Sequence, residues 1–340
     1  MKQKGFFDEN DRLAEISKLG DPLEKLNEHI NWEGLREILT KALKKQPKGL
    51  GGRPPYDYVM MFKIVVLQKL YGMADDKTEY QIKDRLSFQR FLGLKLCDTV
   101  PDAKTIWNFK EELNKTKILD TIYNLFIGQL EEKGIITHSG SIVDASFVDV
   151  PRQRNTKEEN KKIKEGKTPE KWEQKKNRHK KAQKDVDARW ATKNKAKHYG
   201  YKNHIKIDKK SKIITKYRAT SAEVHDSQEL KNLVEEGKDK RLYGDSAYTG
   251  KEVQSCIPET TENRIHEKGY RNNPLTKKQE RNNTAKSRIR ARVEHVFAAI
   301  NHFGGKFIRT IGIRRAEFQI GLMNLTYNLT RYTYIMEAKA

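Results

Sequence analysis

The apolar residues of this 340-residue chain change their spacing at Gly134, and the change divides the sequence between two fold classes. Before Gly134, apolar residues recur at intervals of three and four, for example along 117–133. The pairs Asp21-Pro22 and Pro101-Asp102 are typical of helix starts. We therefore predict an all-α N-terminal domain over residues 1–133, with a Gly- and Pro-rich connector at 49–55.

After Gly134, short apolar runs alternate with helical patterns. The predicted strands cover 135–136, 140–148, 199–208, 213–219, 241–245 and 264–266, and the predicted helices cover 226–236, 250–256, 276–301 (with a break left open) and 315–335. Residues 199–208 and 213–219 are expected to form the two arms of a hairpin. This order predicts a mixed α/β layer fold over 134–340. The Lys-rich residues 152–197 are interpreted as an insertion that is partly helical or mobile.

Positive charge is concentrated in two segments. The chain has 69 Lys and Arg against 46 Asp and Glu, a formal net charge of +23. Residues 152–197 hold 18 Lys and Arg against 7 Asp and Glu, and residues 264–315 hold 14 against 3, so each contributes +11. Such like-charge blocks indicate a polyanionic partner, most often nucleic acid. A merely solvated surface is the simpler alternative.

The sequence does not predict attachment to a membrane or secretion. It has no apolar run of 18 residues, no basic-then-apolar leader, and no amphipathic segment that pairs a basic face with an aromatic one. Cys97 and Cys256 are isolated and lack metal-binding spacing, which fits a reducing cytoplasm. We expect a cytoplasmic protein without a membrane partner.

Three carboxylates are candidates for chemistry. Asp144 and Asp245 each follow a short apolar run, so both are expected at strand ends, where α/β sheets place ligands. Glu294 lies among basic residues on a predicted helix. The simpler interpretations are turn aspartates for the first two and an ion pair with Arg290 for the third. Asp149 is the rival to Asp144.

Carboxylates from three such elements can hold two divalent cations. Mg²⁺ prefers oxygen ligands, and two ions about 4 Å apart support phosphoryl transfer on nucleic acid. The histidines lack the spacing of a zinc site, and no Walker-type glycine loop is present. We therefore predict two Mg²⁺ ions, with Mn²⁺ as a substitute, held by Asp144, Asp245 and Glu294.

Motifs along most of the chain carry a family resemblance. In the first part these are Leu19–Asn27, Gly51–Asp57, Leu67–Gly72, Asp84–Phe88 and Phe91–Leu94. In the second part they are Val143–Ser146, Lys184–Trp190, Tyr199–His204, His225–Ser227, Gly244–Tyr248 and Arg290–Phe297. Together they resemble the DDE transposases of bacterial insertion sequences, specifically the IS-five family.

The resemblance implies a ribonuclease-H-like catalytic core, in which helices flank a mixed sheet, preceded by a helical domain for DNA binding or dimerisation. It implies that Asp144, Asp245 and Glu294 form the catalytic triad of a metal-dependent enzyme. The implied reaction is DNA cleavage at the ends of an insertion sequence, followed by strand transfer into target DNA. The implied partner is double-stranded DNA, as terminal inverted repeats and as target. A homodimer or larger assembly is expected because two ends must meet, in a bacterial cytoplasm and on the nucleoid when bound.

Contacts with DNA are predicted mainly in the second part of the chain. The residues are Lys202, His204, Lys286, Arg288, Arg290, Arg292 and Lys306. In the first part, Lys104–Lys110 and the arm at 51–56 are predicted to lie near DNA, with packing and dimerisation as the alternative role.

The glutamate helix departs from the family pattern. The family often carries Tyr-x2-Arg-x3-Glu-x6-Lys, which Arg290 and Glu294 fit, but Ser287 and Asn301 stand at the Tyr and Lys positions. Lys306 is the nearby candidate for the phosphate-contacting lysine.

Two other functions remain open on the sequence. A nuclease of the same fold, such as a junction resolvase, would cut DNA without joining it. A DNA-binding repressor with an inactive site would do neither, and the presence of all three acids argues against it.

Overall fold

The computed structural model describes residues 8–44 and 54–339, which fall into two compact units. One unit contains the described residues up to Leu125 together with those from Asn328 onwards, and the other contains Phe126–Tyr327. The predicted boundary at Gly134 therefore lies eight residues inside the second unit, and the sequence did not predict that the C-terminal residues group with the N-terminal helices. Most of the predicted connector, 49–53, lies outside the described residues, as do 51–53 of the predicted DNA-contacting arm.

The N-terminal part of the chain is helical, as predicted. Its helices are α1 Asp8–Lys18, α2 Pro22–His29, α3 Arg36–Leu43, α4 Tyr58–Leu70, α5 Asp75–Asp84, α6 Leu86–Leu92, α7 Ala103–Thr116 and α8 Ile118–Glu132, with a 3₁₀ turn at Glu33–Leu35. Asp21 and Asp102 cap α2 and α7 by accepting hydrogen bonds from Leu23 N and Thr105 N. These caps satisfy backbone donors that a helix cannot pair internally, which confirms the two predicted helix starts.

The second unit contains a mixed sheet. Its strands are β1 Ser141–Asp149, β2 Arg189–Lys193, β3 Ala196–Asp208, β4 Ile214–Ser221, β5 Arg241–Tyr243 and β6 Glu262–Asn263. β3 runs antiparallel to β1, β2 and β4, whereas β1, β5 and β6 are parallel to one another in that order. The predicted hairpin is confirmed as β3–β4, and Gly200 lets β3 approach β1, because a Cβ there would lie 2.4 Å from Val148 O.

The other helices surround or follow the sheet. They are α9 Lys157–Lys164, α10 Glu170–Glu173, α11 Arg178–Gln183, α12 Leu230–Leu233, α13 Lys251–Gln254, α14 Lys277–His302 and α15 Ile313–Glu337, with 3₁₀ turns at Lys175–Asn177, Asp226–Glu229 and Ser246–Tyr248. α14 begins at a capping box between Thr276 and Gln279 and continues to His302 without the break that the sequence left open. The helix predicted at 226–236 is only a 3₁₀ turn followed by the single turn α12.

Residues 135–136 do not form the predicted strand. Both isoleucines are buried, but their backbone nitrogens donate to Leu130 O at the end of α8. The two isoleucines therefore form hydrogen bonds at the C-terminal end of α8 instead of pairing in the sheet.

The basic insertion is folded. α9, α10 and α11 enclose Trp172, whose side chain is completely buried and whose Nε1 donates to Glu159 Oε1 at 2.6 Å. The ammonium group of Lys184 lies 4.7 Å from the centre of the Trp172 ring. The predicted helical content is confirmed, and the insertion ends in β2, which the sequence did not predict. Among the described residues, no helix combines the length and apolar character needed to cross a membrane.

Candidate active site

Asp144 and Asp245 are brought together by the pairing of two parallel strands. Ser141 of β1 pairs with Leu242 of β5, and Ile142 pairs with Tyr243. Asp144 and Asp245 each lie two residues beyond the second pair, and the charge of Asp245 is close enough to raise the pKa of Asp144. Asp245 follows the end of its strand as predicted. Asp144 does not end a strand, because it is the fourth residue of the nine-residue β1.

The turn that carries Asp245 depends on the missing side chain of Gly244. A Cβ at Gly244 would lie 3.1 Å from Tyr248 Cδ2 and 3.2 Å from Val143 Cγ2, a tighter fit than side chains usually allow. The Asp245 Oδ1 atom accepts a hydrogen bond from Ala247 N at 2.9 Å. Within the described part of the chain, its Oδ2 atom has no hydrogen-bond partner and can serve as a ligand atom.

Glu294 is connected to Asp144 by an arginine. α14 packs against β1 and β5 through its buried residues Val293, Val296, Phe297 and Ile300, which leaves Glu294 exposed at the edge of that face. Arg290 Nη1 donates to Asp144 Oδ2 at 2.6 Å, and its Nη2 donates to Glu294 Oε1 at 3.3 Å. The guanidinium group of Arg290 thus bridges the first and third predicted acids.

The electrostatics of the site reflect burial among like charges. Burial raises the pKa of Asp144 to about 6, partly opposed by Arg290 and assisted by the charge of Asp245. The pKa of His266 is lowered, first by burial and then by the charges of Arg290 and Lys286. The ionised form of Asp144 therefore destabilises the folded protein unless a cation lies close to its carboxylate.

The donor set fits a divalent cation. Three carboxylates supply hard oxygen ligands, and Asp245 Oδ2 is unengaged. The three acids are not gathered around one point, however. Of the described residues, Glu28, His29 and Glu337 are the group of three whose ligand atoms all lie within 4.8 Å of one another. That group is a partly exposed ion-pair cluster in which Lys25 and His29 already contact Glu337.

Two predicted DNA contacts are buried instead. His204 is completely buried, its Nε2 lies 2.8 Å from Thr220 Oγ1, and burial lowers its pKa to about 4. Lys202 is also buried, and its Nζ donates to Asp226 Oδ1 at 2.8 Å and to Val224 O at 2.7 Å. As placed, neither side chain has the free surface that a DNA contact needs, so both are removed from the proposed contacts.

The predicted DNA contacts on and after α14 differ in whether their side chains are exposed or already hydrogen-bonded within the protein. Lys286 Nζ donates to Ile265 O at 2.9 Å, and Arg292 Nη1 donates to Lys209 O at 2.7 Å. Arg288 and Lys306 are exposed, whereas Asn301 is half-buried. Lys306 is held beside the end of β1, because its carbonyl oxygen accepts from Asp149 N at 2.8 Å.

Other aspartates in the motifs have structural partners. Asp149 lies five residues after Asp144, so strand alternation puts it on the opposite face of β1, where His198 Nδ1 is 3.3 Å away. Asp185 is buried and accepts hydrogen bonds from Tyr201 Oη at 2.7 Å and Gly312 N at 3.1 Å. Asp187 accepts from Ile313 N at 2.9 Å, at the start of α15.

The sequence analysis overlooked Asp226 and Tyr248. Burial raises the pKa of Tyr248 well above its usual range, and the carboxylates of Asp144, Asp226 and Asp245 raise it further. Both residues lie in quoted motifs, His225–Ser227 and Gly244–Tyr248. In the first motif no residue was singled out, and in the second only the aspartate was weighed.

Two family models match this chain. One, described as a transposase domain (DUF772), matches residues 11–112, and the other, the transposase DDE domain, matches residues 136–329. Because the second match covers more than half of the chain, the protein belongs to the DDE-domain transposases, which act in DNA transposition and recombination. Such domains generally use divalent metal ions. The prediction of a DDE transposase is confirmed at this level.

A solved structure is also similar to the chain. It is a cryo-EM structure of the piggyBac transposase synaptic complex with hairpin DNA, with 13% sequence identity and a TM-score of 0.46. The similarity covers 94% of this chain and 76% of that one.

Proposed function

We propose that this protein is an IS-five-family transposase that cleaves DNA at the ends of its insertion sequence and transfers the freed ends into target DNA. The observation that carries the proposal is the parallel pairing of β1, which contains Asp144, with β5, which Asp245 follows, together with the bridge that Arg290 makes between Asp144 and Glu294. The sheet order β2-β3-β1-β5-β6, with β4 also paired to β3, has an antiparallel half and a parallel half, which supports a ribonuclease-H-like core.

The three carboxylates have distinct positions in this proposal. Asp144 and Asp245 would hold the cations from the side of the sheet, and Glu294 would complete the set of ligands from α14. Two Mg²⁺ ions, or Mn²⁺ in their place, supply activation of the attacking oxygen and stabilisation of the leaving oxygen when bound. Arg290 neutralises Asp144 in the metal-free protein. Released from that carboxylate, its guanidinium is suited to a DNA phosphate, which it can contact in a bidentate manner.

A basic surface next to the acids supports DNA as the substrate. Arg288 and Lys306 are exposed on and after α14. The hairpin formed by β2 and β3 carries the exposed Lys193, Lys195 and Lys197 at and next to its turn, and the charge of Lys193 is close enough to lower the pKa of Asp144. The helices of the first unit are proposed to bind the inverted repeats, and a dimer or larger assembly is proposed to pair the two ends.

The proposal is tested with the terminal sequences that flank the gene. With Mg²⁺, the parent protein should cleave them, whereas Asp144→Asn, Asp245→Asn and Glu294→Gln should each lower the rate by at least about 100-fold, since each removes a ligand charge. Asp149→Asn is the matched control on the same strand and should retain activity. Equal cleavage by all four variants would sink the assignment of the acids.

A pre-cut end distinguishes a transposase from a nuclease of the same fold. A transposase should join the labelled 3′ end to a plasmid target, whereas a resolvase-like nuclease would leave the label on the short fragment. Binding without either reaction would support the repressor alternative. Short inverted repeats bounded by a target duplication in the genomic flanks would support assignment to an insertion sequence.

A further inference from the structure

The position of Asp245 relative to Asp144 depends on a short stretch of parallel strand. β1 pairs with β3 along its whole length, Ser141–Asp149, but with β5 through two residues of each strand. β5 itself contains three residues, Arg241–Tyr243. Apolar packing around the buried Leu242 is not directional, so it specifies the register along the strand poorly. A slip of one residue would turn each side chain of β5 to the other face of the sheet, so this pairing needs a further link.

Asp239, two residues before β5, makes such a link. Its side chain is buried, and its Oδ1 atom accepts a hydrogen bond at 2.6 Å from the hydroxyl group of Ser141, the first residue of β1. Its Oδ2 atom accepts from Nζ of the completely buried Lys206, on β3, at 3.0 Å. Its backbone oxygen accepts from Thr261 Oγ1 at 2.8 Å, next to the start of β6. Asp239 therefore connects the starts of the three parallel strands to β3.

These contacts are of a kind that tolerates little displacement. A buried carboxylate and a buried ammonium group are stable only when they are paired with good geometry, and separating them leaves an uncompensated charge in the interior. Lys206 Nζ also donates to Glu235 Oε2 at 3.0 Å, and His138 Nδ1 lies 3.3 Å from Asp239 Oδ1. A shifted β5 would move Asp239 away from these partners, so the cluster favours one register over its neighbours.

We propose that Asp239 is a positioning residue, which fixes the register of β5 against β1 through Ser141 and Lys206 and so determines how Asp245 lies relative to Asp144. This inference rests on the proposed function, since it assumes that the two aspartates bind divalent cations together. Asp239 lies before β5 and Asp245 after it, so the effect reaches the site through the strand and not by contact with the cation.

The first test is Mn²⁺ binding without DNA, measured by the spin-resonance signal of free Mn²⁺ at a temperature at which every variant is folded. Asp239→Asn should weaken binding by about 10-fold, the lower end of the effect typical of groups that orient metal ligands. Asp185→Asn is the matched control, because Asp185 is also buried and hydrogen-bonded but lies outside β1 and β5. It should bind Mn²⁺ like the parent. Equal weakening in the two variants would show a general effect of lost stability and overturn the inference.

The second test separates stability from position. The triple variant Ser141→Ala, Lys206→Met and Asp239→Leu replaces the linked groups by apolar side chains, a change that is often neutral or stabilising for a buried ion pair. It should melt in EDTA near the parent temperature and yet bind Mn²⁺ as weakly as Asp239→Asn. Binding like that of the parent would show that the cluster acts through stability alone. Failure of both the triple variant and Asp239→Asn to fold would show the same, and either result overturns the inference.

A comparison with Asp144→Asn separates the inference from the proposed function. If Asp144→Asn abolishes Mn²⁺ binding while Asp239→Asn binds like the parent, only the role of Asp239 is overturned. If the parent and Asp144→Asn bind Mn²⁺ equally, the proposed metal site itself fails, and the inference fails with it.

Discussion

Asp144 is buried, and burial outweighs the nearby charges of Arg290 and Lys193, which has a measurable effect on stability. Its pKa is about 6 in the folded protein against an ordinary value of 3.8. The folded state therefore binds this proton more tightly than the unfolded state does. The resulting stabilisation is fully present below about pH 4 and is lost as the pH rises through 6.

The pH dependence can be isolated with Asp144→Asn in EDTA. Between pH 4 and pH 7.5, the free energy of unfolding of the parent should fall by about 3 kcal/mol relative to that of Asp144→Asn, because two pKa units correspond to about that energy. His204, with its pKa lowered to about 4, has the opposite effect, destabilising the fold as the pH falls below 6.5, but it is present in both proteins. Urea denaturation at several pH values measures the difference, and a difference that does not change with pH contradicts the expectation.

Asp185 is expected to tolerate substitution poorly, because its buried carboxylate is hydrogen-bonded on both oxygens. Its carboxylate accepts hydrogen bonds from Tyr201, Gly312 and two further backbone nitrogens. The NH₂ group of an asparagine cannot accept, so it would face some of these donors without forming a hydrogen bond. Asp185→Asn should lower the free energy of unfolding by about 3 kcal/mol, measured in urea. Asp149→Asn, which loses only a contact with His198, should cost less than about 1 kcal/mol. Equal stability of the two variants would contradict this distinction.

At the scale of elements, the insertion between β1 and β3 depends on one tryptophan. Trp172→Ala should remove about 3–5 kcal/mol of packing from α9, α10 and α11 and open their lysines to trypsin. Trp190→Ala is the control, because Trp190 is 52% exposed on β2. Limited proteolysis followed by mass spectrometry should show early cuts within 152–187 for the first variant only. Cleavage of the parent at the same rate would mean that the insertion is not folded in solution.

The elements that the sequence predicted best are those with strong local signals. α7 and α14 begin at side-chain caps, and β3–β4 is a hairpin with a short connection, so neighbouring residues define them. β2 was missed because Arg189–Lys193 has little apolar alternation and becomes a strand only by pairing with β3. The strand predicted at 135–136 was wrong because apolar burial there serves the end of α8 instead.

At the scale of the whole molecule, most of the net charge belongs to two segments. The affinity of the protein for DNA should therefore fall as the salt concentration rises. Replacing Lys193, Lys195 and Lys197 by Gln should reduce the slope of log affinity for DNA against log salt by up to about 3, since each phosphate contact releases a counterion. A matched triple of exposed lysines in the second unit, Lys231, Lys238 and Lys240, should leave the slope unchanged on substitution. Filter-binding between 50 and 200 mM salt, roughly the range where such contacts weaken most, makes the comparison. A parent affinity that is flat over this range would exclude a phosphate-binding role for the insertion.

The sequence by itself determined the helical and α/β halves and the location of the positive charge, and it nominated three candidate acids. Each of these follows from residue type and local spacing. The tertiary structure alone decided that β1 pairs with β5 ahead of Asp144 and Asp245, that Arg290 bridges to Glu294, that Lys202 and His204 are buried, and that Asp239 contacts Ser141. These features arise from strand register and from packing between residues far apart in the chain, and local spacing carries no information about such contacts.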